Sequence, residues 1–319
     1  MLTRRDLLSK AAAAGILLRS QTAFAKASQP ATRVNFDIPA GACDCHTHIF
    51  GDPARFPLAA SRVYTPEPAL PEEMSALHRA LHIQRVVIVT PSVYGPDNSA
   101  SLYGIKARGA DARGVAVIDD RTPESDLDAM DRAGFRGIRL NLATTGQNDP
   151  ALARRRFQSA VERMRRRNWH IQMYTSLAVI VAIKDLIQAS PVPVVFDHFG
   201  GAQAPLGLAQ PGWTDLIDLV RSGQAYVKIS GAYRASTQAP DYPDVAPFAR
   251  ALIRANPDRI VWGTDWPHPN STPARRATEI SPLLQIDDGR LLNQLALWAP
   301  DPNVRKKILV DNPARLYRF

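Results

Sequence analysis

Three short segments carry side chains able to do chemistry together. They are His46-Thr47-His48, Asp197-His198-Phe199-Gly200 and Gly263-Thr264-Asp265-Trp266-Pro267-His268-Pro269. Imidazoles and carboxylates perform general acid–base work, and both also ligate divalent metals. An aspartate among histidines can take a proton from water while imidazoles polarise a carbonyl. Two histidines and an aspartate can equally begin a zinc site with an open position. Either chemistry needs Asp265, His46, His48 and His198 on one surface, so some fold must gather segments more than 200 residues apart.

From Cys43 onward, short apolar runs alternate with stretches of helical spacing such as Met74, Leu77 and Leu81. The candidate strands are Cys43 to Phe50, Arg85 to Ser92, Arg113 to Asp119, Phe135 to Leu142, His170 to Tyr174, Pro193 to Phe199, Ala225 to Ser230 and Arg259 to Asp265. Strand alternating with helix implies a parallel sheet, and eight such units imply a single-domain (β/α)8 barrel. An open doubly wound sheet would want a glycine-rich turn after the first strand, where this chain has Asp44-Cys45-His46-Thr47-His48. The proline-rich stretch from Phe56 to Pro71 reads as a long loop over the barrel mouth.

Side chains alternate faces along a strand. Parity puts Gly137, Arg139 and Asn141 inside, with His170, Gln172 and Tyr174, and with Lys228 and Ser230. His46 and His48 share a face with Asp44; Cys43 and Cys45 take the other, toward the helices, as free buried thiols. His198 shares a face with Phe196, and Asp265 with Gly263. The polar inward set at the C-terminal strand ends is then His46, His48, Arg139, Tyr174, His198, Ser230 and Asp265. Barrel enzymes keep their catalytic residues at that end.

The chain has 319 residues, 45% hydrophobic and 22% charged, which excludes general disorder, and its two cysteines exclude a disulfide scaffold. No apolar run reaches the roughly 18 residues of a membrane span. The net charge of +9 suits anionic ligands. Its densest runs, Arg154-Arg155-Arg156 and Arg165-Arg166-Arg167, lie in a helical stretch and read as a solvated face, not a nucleic-acid site. The opening Thr3-Arg4-Arg5-Asp6-Leu7-Leu8 resembles the twin-arginine export motif; an apolar stretch and Ala23-Phe24-Ala25 follow. The expected organisation is a signal peptide over residues 1–25, a loose leader over 26–35 and the barrel over 36–319, working in the periplasm.

The three reactive segments together resemble the amidohydrolase superfamily, in its amidohydrolase-related (amidohydrolase 2) group. The tail Asp311-Asn312-Pro313-Ala314-Arg315-Leu316-Tyr317 is similar to the tail of those chains, so the resemblance runs from about Val34 to Phe319. Within the group the chain most resembles the lactonase branch typified by 2-pyrone-4,6-dicarboxylate lactonase. That resemblance implies that Tyr64, Ser92, Arg139, Tyr174 and Arg234 hold an anionic lactone, while Asp265 activates water. It also implies a reaction without an essential metal. One departure is plain: a second arginine expected soon after Arg139 is missing from Asn141-Leu142-Ala143-Thr144-Thr145-Gly146, and Lys228 is the candidate replacement.

The alternative cofactor is one divalent ion, zinc, on His46, His48 and Asp265. Metal-using relatives add a histidine at the end of the fifth strand, where this chain has Tyr174. His78 and His82 share a helical face with no carboxylate on the stripe and read as surface or packing residues. Trp262 and Trp266 read as packing; His268 could orient Asp265. The expected function is hydrolysis of a carboxylated lactone. The competing readings are a metal-dependent decarboxylase, a sugar-lactone isomerase and a solute-binding protein without turnover.

Overall fold

The computed structural model describes residues 27–143, 149–271 and 276–319. The export motif lies outside the described residues. Eight parallel strands form from the predicted runs: β1 (Cys43–Thr47), β2 (Arg85–Val89), β3 (Ala112–Ala116), β4 (Phe135–Asn141), β5 (His170–Tyr174), β6 (Val194–Phe196), β7 (Ala225–Ser230) and β8 (Ile260–Gly263). Each pairs with the next in chain order, with helices between. His48 N donates to Trp266 O at 2.9 Å and Asp265 N to His46 O at 2.9 Å, so β8 closes on β1. The expected (β/α)8 barrel is the architecture found. Among the described residues no helix is long and apolar enough to cross a membrane.

Alternation sorts the apolar side chains into two layers. Val86, Ile88, Ile138, Ile171, Phe196 and Ile229 face the helices in the main core. Val87, Val89, Val115, Val195 and Val261 fill the barrel interior, plugged from the N-terminal end by Leu316 and Tyr317. Cys43 and Cys45 belong to that inner layer, not to the helix side as parity predicted. The pairing of β1 with β2 shifts register between Asp44 and Thr47, so alternation breaks there. Both cysteines are buried free thiols, as expected.

Asp44 turns outward for the same reason. Its carboxylate accepts from Thr264 N at 3.0 Å and Thr264 Oγ1 at 2.6 Å, and meets His78 Nε2 at 3.2 Å. His78 therefore has a carboxylate partner after all, supplied by β1 and invisible to a search along its own helix. His82 is exposed.

The leader is not loose. Ala27 and Ser28 are buried, and Thr32 Oγ1 donates to Asp287 Oδ2 at 2.6 Å. The long loop after β1 is pinned where Thr65–Pro66 pairs with Ile280–Ser281. The arginine runs make ion pairs along the helix surface, Arg154 with Asp185 and Arg167 with Glu124 and Asp128.

Candidate active site

Most strands end sooner than predicted, because the reactive residues sit just beyond them in turns. β6 stops at Phe196, so Asp197 points inward by parity. His198 then has φ 46°, a left-handed turn that swings its ring over the mouth beside Asp197. Asp265 likewise follows the end of β8 with φ 67°. Gly231, φ 60°, lets the chain pass the two of them: a Cβ there would lie 2.9 Å from His198 Nδ1 and 3.2 Å from Asp265 Oδ2.

The four residues read as catalytic come together. Asp265 Oδ1 lies 3.5 Å from His46 Nε2, 3.6 Å from His48 Nε2 and 3.8 Å from His198 Nε2. Asp265 Oδ2 accepts from Tyr233 Oη at 2.6 Å and from Arg234 Nε. Oδ1 is thereby left toward the three histidines with no hydrogen-bond partner among the described residues, and His46 Nε2 likewise has none. Burial works to raise the Asp265 carboxyl, but Arg234 and the histidines outweigh it and hold it well below the usual carboxylate range.

The histidines differ in what lies behind them. His48 Nδ1 is 2.7 Å from Val89 O, which only accepts, so Nδ1 holds the proton and Nε2 is a bare lone pair. His198 Nδ1 is 3.0 Å from Ser230 Oγ, which can donate or accept, so its Nε2 can take either role. His46 Nδ1 sits 3.2 Å from Asp197 Oδ1 and 3.3 Å from Lys228 Nζ, neighbours that favour opposite tautomers. Burial lowers the pKa of all three, well below the ordinary value for His46 and to about 4 for His198. All are neutral imidazoles near neutral pH.

A charged floor supports them. Asp197 takes Arg139 at 3.1 Å and Gln172 Nε2 at 3.1 Å, and faces Lys228 Nζ at 3.5 Å. Lys228 also donates to Gln172 Oε1 at 2.6 Å and is fully buried beneath the histidines. It is held in the floor and does not replace the missing arginine. Burial pushes Asp197 up, yet His46, Lys228 and Arg139 hold it well below the carboxylate range. Sequence reasoning quoted Asp197 in a motif without giving it a role, and passed over Tyr233. Parity carried the signal for Asp197, since it falls two residues after inward Val195.

The expected substrate-binding residues also converge. The Tyr64 hydroxyl lies close to Ser92 and in the field of Arg234, Arg139 and Asp265; burial pushes it up to about 12. Tyr174 stands edge-on to His198 at 5.3 Å, with Arg139 over its ring at 5.3 Å. Arg234 pairs with Asp265 through Nε and also lines the cavity that leads to the cluster. A cavity of about 200 Å³ reaches this cluster past Tyr174, Thr175, His198, Gln203 and Arg234. A larger one, about 650 Å³, is lined by Ile138, Leu140, Arg155 and Arg156; it holds none of the histidines and meets the site only at Arg139.

The donor set fits one divalent cation. A tetrahedral ion with bonds of roughly 2.0–2.2 Å keeps its ligands about 3.3–3.6 Å apart, and His46 and His48 stand 3.5 and 3.6 Å from Asp265 Oδ1. His48 also has the backing expected of a ligand, an Nδ1–H on a carbonyl. A protonated His46 Nε2, with Lys228 donating behind it, would suit a site without metal.

Comparison with known proteins agrees with this geometry. Residues 43–319 match the amidohydrolase family. The chain is 36% identical over 284 residues to a 4-sulfomuconolactone hydrolase of Rhizobium radiobacter, covering 89% of this chain and 92% of that one. It is 33% identical over 303 residues to a 2-pyrone-4,6-dicarboxylate hydrolase of Comamonas testosteroni, covering 92% and 94%. The crystal structure of a putative 2-pyrone-4,6-dicarboxylic acid hydrolase from Pseudomonas putida superposes with a TM-score of 0.71 at 28% identity, covering 88% and 98%. With the match spanning the whole barrel from β1 to the C-terminal plug, this chain is a member of the amidohydrolase family.

Proposed function

We propose that the protein hydrolyses a lactone bearing an anionic substituent. The observation that carries this reading is the convergence of three neutral histidine Nε2 atoms on Asp265 Oδ1, beside Arg139. Two relatives covering about nine-tenths of the chain are named for lactone substrates with sulfonate or carboxylate groups, which supports it.

Arg139, Tyr64 and Ser92 hold the anionic group and so orient the ring. Tyr233 and Arg234 fix Asp265 Oδ2, which aims Oδ1 at the attacking water. His48 accepts a hydrogen bond from that water through its bare Nε2. His198, with Ser230 donating to Nδ1, presents Nε2–H to the carbonyl oxygen. The water oxygen bonds to the acyl carbon, and its proton passes to Asp265. The ring C–O bond then breaks, and Asp265 returns the proton to the leaving oxygen. A divalent cation held by His46, His48 and Asp265, with His198 alongside, would add Lewis-acid polarisation of the carbonyl. We place this activity in the periplasm, on the strength of Arg4-Arg5 and Ala23-Phe24-Ala25.

The test is metal analysis of the purified protein, with turnover of a carboxylated and a sulfonated lactone before and after chelation. Ring opening of either supports the reading. Failure on both, alongside decarboxylation of an aromatic acid, would overturn it. Full activity of metal-free protein would assign His46 Nε2 its proton; activity lost on chelation and restored by zinc would make His46, His48 and Asp265 ligands.

A further inference from the structure

Asp265 sits in a turn whose backbone is hard to hold. Both Asp265 (φ 67°) and His268 (φ 60°) are left-handed without being glycine. Such conformations are uphill by about 1–2 kcal/mol per residue and persist only where the surroundings over-determine them. Inside the barrel the turn is held by Asp265 N on His46 O and Trp266 N on Thr264 Oγ1. Its outer side is held by the segment that sequence reading took for a leader.

Two links join them. Trp266 follows Asp265 directly; its indole is fully buried, and Nε1 donates to Ser28 O at 3.2 Å. The second link runs through Asp287, whose carboxylate accepts from Thr32 Oγ1 at 2.6 Å and Thr32 N at 3.1 Å. The neighbouring Asp288 pairs with His268 Nε2 at 2.9 Å, and His268 N donates to Asp265 O at 2.9 Å. The segment is anchored further back, where Ala27 N meets Glu73 Oε1 at 3.3 Å and Gln29 Nε2 meets Glu73 O at 3.1 Å. The fit leaves no slack: a Cβ on Gly289 would lie 1.9 Å from Thr32 O.

We propose that residues 27–35 are a strap that sets the position of the catalytic turn, with Trp266 as the positioning residue through which it acts. The proposal rests on Asp265 being the catalytic base. The strap fixes where the carboxylate stands relative to the three histidines. It touches neither the cavity nor Arg139, so it governs the chemical step and leaves substrate affinity alone.

The test uses three variants of the full chain. Gly289→Ala puts a methyl where Thr32 O lies and displaces the strap, while alanine favours the helix it enters. Trp266→Phe keeps an aromatic ring but removes the donor together with part of the buried indole, so its kcat is read per folded molecule. Asp265→Asn is the control. Loss of one hydrogen bond's positioning corresponds to about a fivefold fall in kcat. Trp266→Phe should show that fall, and Gly289→Ala at least as large a fall, with KM within twofold and increased hydrogen exchange over residues 27–35. The double variant should lose little more than the worse single, because displacing the strap already takes the Ser28 carbonyl away from Trp266. Unchanged kcat per folded molecule, or effects that simply multiply, would overturn the strap. Turnover retained by Asp265→Asn would instead overturn the reading of the site.

Discussion

Tyr233→Phe tests how Asp265 is tuned. The Tyr233 hydroxyl donates to Asp265 Oδ2 at 2.6 Å, with Asp265 fully buried and Tyr233 partly so. The substitution removes one hydrogen bond to the charged form and leaves Arg234 in place, so no buried charge loses its only partner. A hydrogen bond to a charged group is worth about 1.5–3 kcal/mol, and 1.36 kcal/mol corresponds to one pH unit. Asp265 must be ionised to accept a proton from water, so activity falls on the acid side as the carboxylate is protonated. Weakening the charged form raises that transition, and the acid limb should move to higher pH by about one to two units. On the plateau above it kcat should hold or rise slightly, since a carboxylate with higher proton affinity is the better base. The assay is the pH dependence of kcat/KM for both proteins on one anionic lactone. An acid limb that stays in place, or moves to lower pH, would refute the assignment of Asp265 as the base held by Tyr233.

Arg139→Met should lower kcat/KM on an anionic lactone by about 100-fold or more while costing an uncharged lactone far less; equal losses would show that Arg139 serves only the floor through Asp197. Asp44→Ala strips the acceptor from His46 N, Thr264 N, Thr264 Oγ1 and His78, and should cost about 3 kcal/mol or more in urea unfolding. A loss below about 1 kcal/mol would show that water replaces the carboxylate there. Exchange of Arg4 and Arg5 for lysine should leave the protein in the cytoplasm on cell fractionation; unchanged periplasmic recovery would remove the twin-arginine reading.

The barrel was legible because its signal is repeated eight times, and apolar periodicity tolerates local error. Parity also placed Arg139, Gln172, Tyr174, Lys228 and Ser230 on the inner face, since β4 pairs with β5, and β7 with β8, in unbroken register. It failed at β1, where a register shift turns Asp44 outward and the cysteines inward. The inward reading of His198 holds, but not the face it was given in common with Phe196: β6 ends at Phe196, which packs toward the helices, and a left-handed turn swings His198 over the mouth. Tyr233 and the strap were hidden for a different reason. Neither has a local pattern, and each is defined only by a partner far away in sequence, Asp265 for one and Glu73, Trp266 and Asp287 for the other.

The same distinction explains why the sequence suggested three equivalent histidines and the structure does not. Residue type says only that an imidazole is present; the atom behind it decides what its outer nitrogen can do. A main-chain carbonyl behind His48 makes its Nε2 an acceptor for a water or a cation. A hydroxyl behind His198 allows Nε2 to donate to a carbonyl. An aspartate and a lysine behind His46 leave it between the two. Asp197 and Lys228 in the floor of the barrel thus bear on which His46 nitrogen carries the proton, and a bare Nε2 is what a cation at the site proposed above would need. Lys228→Met would withdraw the donor and leave Asp197 to hold the proton on Nδ1. Zinc affinity measured by competition with a chelator should then rise, by about tenfold if the lysine contributes about 1.4 kcal/mol against the bare Nε2. Unchanged affinity would mean that Asp197 already decides the tautomer and that the lysine serves only to neutralise it.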